Sequence, residues 1–160
     1  MEIQFIAGIH GSGKTTHCKS ISSIDVPHFS CSQIIKDCKK LNPTREKIAS
    51  NVDSNQPSLI NFINNEIKED AIILDGHFCL FTKDYQIHEI EDSVFEAMPI
   101  KSITLITASP FVIVQRLSSR DCINHPIEKI EALQVRERER AESLSLLLGV
   151  PLSIIDTTNF

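Results

Sequence analysis

Apolar and polar positions change period several times along the chain. Residues 2–7 (Glu-Ile-Gln-Phe-Ile-Ala) are mostly apolar and rich in strand formers, as are 71–75, 102–107 and 151–155. The run Ala71-Ile72-Ile73-Leu74 ahead of Asp75 predicts a central strand buried on both faces. A shorter strand is expected at 26–29, where Pro27 confines it to a sheet edge or a strand start. Helical patterns separate these runs, at about 14–22, about 87–97, from Pro110 to about Ser119 behind Ser109 as N-cap, and at about 127–148. The last carries an apolar stripe of Ile127, Ile130, Leu133, Ala141, Leu144 and Leu148, with Gly149 as its C′ residue. Strands alternating with helices predict an α/β fold, a three-layer α/β/α sandwich around a five-stranded parallel sheet.

Residues 30–70 break the rhythm. They are polar and rich in Asn and Lys, with helical segments expected at Ser32–Lys40, Thr44–Ser50 and Pro57–Lys68. We read them as a small helical insert within one domain spanning 1–160. Arg136, Arg138 and Arg140 alternate with Glu137 and Glu139, the pattern of a solvated, self-paired helix face.

The chemistry lies between the first strand and the first helix. Gly8-Ile9-His10-Gly11-Ser12-Gly13-Lys14-Thr15 matches the phosphate-binding pattern G-x-x-x-x-G-K-[ST] without a gap. The glycines let the backbone approach a polyphosphate, and the amides of 11–16, Thr16 included, are expected to line an anion site above a helix N-terminus. Lys14 supplies a mobile charge to the β and γ oxygens, and the Thr15 hydroxyl suits Mg²⁺. Asp75 ends a central strand where open α/β sheets bind ligands, so it is the second candidate for the metal; a turn or helix-capping aspartate is the alternative. The expected ligands are therefore ATP and Mg²⁺. His10 inside the loop faces either the triphosphate or the outside, and His77 beside Asp75 is either a core or a site histidine. Thr157 lies in a polar loop expected at the same edge.

Composition narrows the class. Hydrophobic residues make up 41% and charged residues 23% of the 160, which are globular values, and the net charge of −5 argues against a general nucleic-acid surface. Five cysteines without a C-x-x-C pair fit reduced thiols, and no apolar run reaches membrane-span length, so a cytoplasmic protein is expected.

With the P-loop, the polar insert, the Asp75-Gly76 strand end and the paired Arg116 and Arg120 in place, the chain resembles the adenylate-kinase-like nucleotide kinases, and among them the compact archaeal-type adenylate kinases. The resemblance implies that 30–70 binds the acceptor nucleotide and that 117–126 forms a short lid. The family's Thr-Gly-Asp-x-x-Arg corresponds to Cys31-Ser32-Gln33-Ile34-Ile35-Lys36, which places Lys36 where an arginine holds the acceptor phosphate. Its Asp-Gly-Phe-Pro-Arg becomes Asp75-Gly76-His77-Phe78-Cys79, without the arginine. Arg116 and Arg120 correspond to lid arginines that stack on the donor base or neutralise the phosphoryl group in flight. The implied reaction is transfer of the γ-phosphoryl of Mg-ATP to AMP or a related nucleoside monophosphate, with Lys14, Asp75, Arg116 and Arg120 catalytic and Ser32, Lys36, Arg45 and His77 around the acceptor. Two alternatives stand beside it: a kinase for a nucleoside or other hydroxyl acceptor, with Asp75 activating the hydroxyl, and a partner-dependent ATPase acting on a protein or RNA.

Overall fold

The computed structural model describes residues 1–41 and 55–160. Arg45 and the helix expected at Thr44–Ser50 lie outside the described residues.

The central sheet contains β1 (Glu2–Ala7), β2 (His28–Ser30), β3 (Ala71–Asp75), β6 (Ile100–Thr107) and β7 (Leu152–Asp156), all parallel in the order β2-β3-β1-β6-β7. The expected three-layer α/β/α fold with a five-stranded parallel sheet is the observed one. Its helices are α1 (Lys14–Ile21), α2 (Cys31–Leu41), α3 (Gln56–Asn65), α4 (Asp92–Glu96), α5 (Pro110–Asp121) and α6 (Ile127–Leu148).

Alternation along the inner strands sends side chains to opposite faces. On one face Ile6, Ile73 and Ile106 pack with Cys18 of α1. On the other, Ile3, Phe5, Ile72, Leu74, Ile103 and Leu105 join the larger core, to which α2 and α3 contribute Ile34, Leu59 and Ile63, and α6 contributes Ile130, Leu133 and Leu144. Three rings lock this side. Phe5 stacks on Phe78 at 5.3 Å between centroids, and Phe95 meets both edge-on at 5.6 and 5.1 Å. Burying each ring contributes roughly 2 kcal/mol. No helix of the described residues is long and apolar enough to cross a membrane.

Strand register assembles the site. Ile6 lies beside Asp75, Ala7 beside Leu105, and Thr107 beside Asp156, so four strands end along one rim. The Gly76 N–H extends the pairing to the Ile6 carbonyl at 3.0 Å, and the Thr157 N–H to the Thr107 carbonyl at 2.8 Å.

One element differs from expectation. The helix read at about 87–97 is instead β5 (Ile87–Glu89), paired antiparallel with β4 (Cys79–Phe81), followed by the single short helix α4. The turn between the strands closes through Thr82 N–H to Gln86 O (2.9 Å), with Tyr85 at φ 56°. Ile87, Glu89 and the charged residues after them satisfy a helical period equally well. The pairing with Cys79-Leu80-Phe81 decides the outcome, because it buries Leu80 and Ile87 against the core.

Candidate phosphate and acceptor site

The loop leaving β1 begins at Gly8, whose φ of 146° is accessible mainly to glycine. A Cβ there would lie 2.4 Å from the Ile106 carbonyl oxygen and 2.8 Å from Ser12 Oγ, so the backbone also has no room to relax. Gly8→Ala is expected to destabilise the fold by roughly 1–3 kcal/mol. Thermal denaturation would register this as a fall of several degrees, and an unchanged melting temperature would show that the loop can relax.

Lys14 folds back over this loop, its Nζ donating to the carbonyls of Gly8 (2.5 Å) and Ile9 (3.3 Å). Burial lowers Lys14 to about 8, while Glu137 and Asp75 act in the opposite sense. Ser12 Oγ is buried beside it with no hydrogen-bond partner. A buried ammonium satisfied by its own loop, next to an orphaned hydroxyl, fits a polyphosphate, which answers both donors. The Ser12 amide departs from the expected inward set, because it donates to Ile9 O at 3.2 Å. Thr15 and Thr16 stand exposed on the first turn of α1, where helix amides lack partners within the helix.

Asp75 is 7% exposed at the end of β3. Its carboxylate accepts hydrogen bonds from His28 Nε2 at 2.6 Å and Ser30 Oγ at 3.3 Å, so two β2 side chains fix its orientation. Thr15 and Asp75 offer the hard oxygen donors that Mg²⁺ takes. Cys18 lies close to both Asp75 and His28, but burial pushes its thiol up to about 12, which keeps it protonated. All five cysteines are free thiols.

Arg116 and Thr157 hold the loop from below. Arg116 donates to Gly11 O (3.2 Å), Thr157 Oγ1 (3.1 Å) and Thr157 O (2.7 Å), and the Thr157 hydroxyl donates to Ser12 O. Thr157 is 2% exposed. In this arrangement both residues support the P-loop backbone. Arg120 is exposed, and its guanidinium forks onto neighbouring Asp121 at 2.7 Å. Such a pair costs little to break.

Two cavities meet behind the loop. One, of about 350 Å³, lies between α2, α3, α4 and the β4–β5 hairpin, and Ser32, Lys36 and Gln56 are among its lining residues. The other, of about 390 Å³, lies toward the loop between α5 and α6 and includes Arg120, Asp121, Ile123 and His125. His125 Nδ1 is 2.9 Å from the Tyr85 hydroxyl, which ties the loop between α5 and α6 to the hairpin tip. His10 and His77 line both cavities, their rings 4.3 Å apart. His10 and His77 thus stand where the two cavities meet, with Ser32 and Lys36 lining the first and Arg120 the second. Arg45, also expected at the acceptor, falls in the undescribed segment.

Sequence reasoning missed Glu137. It is fully buried, and its carboxylate accepts from the backbone N–H groups of Gly8 (3.2 Å), Phe78 (3.0 Å) and Cys79 (2.7 Å). Burial pushes it up to about 7, against the pull of those amides and of Lys14. Three donors aimed at two oxygens favour the ionised form. Arg140 is buried too, donating to Ile90 O (2.7 Å) and pairing with Asp92 (2.6 Å). The expected solvated Arg/Glu face is therefore split: Arg136, Arg138 and Glu139 face outward, while Glu137 and Arg140 pin the segments after β3 and β5. The signal available was their position one helical turn beyond Leu133 and beside Ala141 on the apolar stripe.

A family model described as an AAA domain matches residues 7–134. No curated protein matches the sequence. Among solved structures, TT1252 from Thermus thermophilus superposes with a TM-score of 0.61 at 14% identity, over 98% of this chain and 88% of that one. A gluconokinase from Sinorhizobium meliloti 1021 superposes with a TM-score of 0.55 at 16% identity, over 98% of this chain and 83% of that one. At such identities the likeness concerns the fold.

Proposed function

The chain belongs to this AAA-domain family, and from that premise we propose that it is a P-loop phosphotransferase moving the γ-phosphoryl of Mg-ATP to a small acceptor in the cavity beside the loop. The observation that carries this reading is the junction itself: a loop with a buried lysine and an orphaned hydroxyl opens on a cleft, with Arg120 lining the neighbouring one.

Phosphoryl transfer has a loose transition state and asks mainly for positioning and positive charge. Lys14 leaves its loop carbonyls for the β and γ oxygens. Thr15 and Asp75, the latter aligned by His28 and Ser30, would hold Mg²⁺, whose charge would help neutralise the phosphate oxygens. Arg120 leaves Asp121 when the lid loop closes and answers charge on the transferring group. The tie between Tyr85 and His125 moves the hairpin tip with the lid and excludes water from the acceptor cavity.

Adenylate-kinase-like specificity is one of two finer readings. A nucleoside monophosphate would rest its base among Leu59, Val94 and Met98 and turn its phosphate toward Lys36. A hydroxyl acceptor is the second reading, favoured by a cavity whose described lining contains no arginine. The name of the gluconokinase neighbour points the same way at the level of reaction class. Five free thiols and the lack of a spanning helix among the described residues suit the cytoplasm.

The test is ADP production from Mg-ATP across a panel of monophosphates, nucleosides and sugars, against a blank without acceptor. Stimulation by one compound is expected. Uniformly slow hydrolysis would replace this reading with a partner-dependent ATPase. Arg120→Ala should lower kcat by about 10²-fold or more while changing ATP affinity little. A fall in affinity alone would make Arg120 a contact to the donor base.

A further inference from the structure

The larger question is what the acceptor cavity takes, and three features of its wall bear on it. Its body is apolar, formed by side chains such as Phe5, Leu59, Leu80, Phe95 and Met98. Among its described lining residues Lys36 is the one cation, exposed at the rim, and no carboxylate lines it. The Asn55 side-chain amide and the Ser32 hydroxyl also line it, donors and acceptors of the kind that read the edge of a heterocycle. Among the described lining residues a dianionic phosphate would meet mostly apolar walls and the flexible ammonium of Lys36, where phosphate recognition normally uses forked guanidinium groups.

The end of the cavity facing the phosphate loop differs from the rest. His10, exposed within the cleft, and His77, tucked behind it, form its wall there, with ring centroids 4.3 Å apart. Asp75, the carboxylate expected to activate a hydroxyl, does not line the cavity, and its oxygens already accept from His28 and Ser30. Desolvation within the cleft, then the charges of Lys14 and Arg120, hold His10 well below the usual histidine range, against the weaker opposing pull of Asp121 and Asp75. An imidazole kept neutral at the mouth of a phosphate site is a hydrogen-bond acceptor for whatever approaches the γ-phosphorus.

We propose that the acceptor is an uncharged nucleoside-like molecule, its heterocycle in the apolar cavity and a hydroxyl presented to His10, which accepts that hydroxyl's proton, with His77 as the positioning residue behind it. This rests on the phosphotransferase reading and narrows it. The acceptor oxygen forms a bond to the γ-phosphorus as the bond from that phosphorus to the β–γ bridging oxygen breaks. ADP leaves, the hydroxyl proton passes to an unprotonated ring nitrogen of His10, and the product is a phosphate monoester. His77 packs against the His10 ring and fixes its tilt at 44° between planes.

The experiment uses the purified full chain with Mg-ATP and three sets of probes: nucleosides, the matching 5′-monophosphates, and no acceptor. ADP release and phosphoester formation are measured for wild type, His10→Gln and His77→Phe. The expected result is stimulation by a nucleoside and none by its monophosphate. His10→Gln should lower kcat about 10²-fold with nucleoside KM within about twofold, and flatten the pH–rate profile on its acid side. That limb is read with Lys14, Arg120, Asp121, Asp75 and His77 in view, since these charged and titratable groups face the His10 ring from the loop, α5, β3 and the segment after it. His77→Phe, which keeps an aromatic face against His10, should retain kcat within about tenfold. Stimulation by monophosphates instead, or an unchanged kcat in His10→Gln, would overturn this inference and leave the phosphotransferase reading standing. No stimulation by either set would overturn this inference, and the phosphotransferase reading falls only if the wider panel, sugars included, also gives uniformly slow hydrolysis.

Discussion

Lys14→Ala is expected to weaken Mg-ATP binding by roughly 10²-fold and to lower turnover further still. The magnitude follows from removing charge-assisted contacts of about 1.5–3 kcal/mol, with an additional loss where the transition state gathers charge on the same oxygens. The fold should persist. Among the described residues the ammonium donates to the Gly8 and Ile9 carbonyls, and burial already works against its charge. Calorimetric titration of the variant with Mg-ATP, beside a thermal melt, separates the two effects. A variant that binds ATP like wild type would remove the P-loop from the account.

Glu137→Ala should have the largest effect on stability of any substitution considered. The carboxylate is the shared acceptor for Gly8, Phe78 and Cys79, and it joins the first turn of the phosphate loop to the segment that carries His77. Truncation leaves three buried N–H groups without an acceptor and opens a cavity. Each unsatisfied donor costs about 1–3 kcal/mol, so a loss of roughly 3 kcal/mol or more is expected. For a chain of this size that is a fall of about 6–12 °C in Tm. Glu137→Gln keeps the shape but turns amide hydrogens toward one pair of donors, and should fall between wild type and alanine. Because Gly8 loses an anchor, the surviving folded fraction should also bind ATP less well. A melt of Glu137→Ala within about a degree of wild type would show that solvent or a shifted backbone satisfies those amides.

The sheet was legible because its signals are local. A buried strand reads as an apolar run, and its end is marked by Gly8 or by Asp75-Gly76, so the five strands and the phosphate loop follow from spacing alone. The β4–β5 hairpin was not, since Ile87 to Glu91 suits either period and only pairing with Cys79 to Phe81 selects the strand. Glu137 and Arg140 were hidden for a related reason. Alternating charges on a helix are usually solvated, and a buried acid becomes favourable here through three backbone donors that arrive from distant loops. Thr157 lies at the edge where its polar loop was expected, whereas Arg116, read by resemblance as a lid arginine, bonds the backbone of the phosphate loop, a contact that sequence spacing does not encode. The two histidines occur where the motif and the strand end put them, and their mutual contact depends on the register between β1 and β3.

The central claim is that the phosphate loop delivers a phosphoryl group to an occupant of the neighbouring cavity. Phosphorus NMR of the protein with Mg-ATP and the stimulating acceptor tests it most directly. The account predicts loss of the γ resonance matched by a new phosphoester resonance, in equal amount to the ADP formed. Inorganic phosphate as the sole product, released at the rate of the acceptor-free blank, would contradict it.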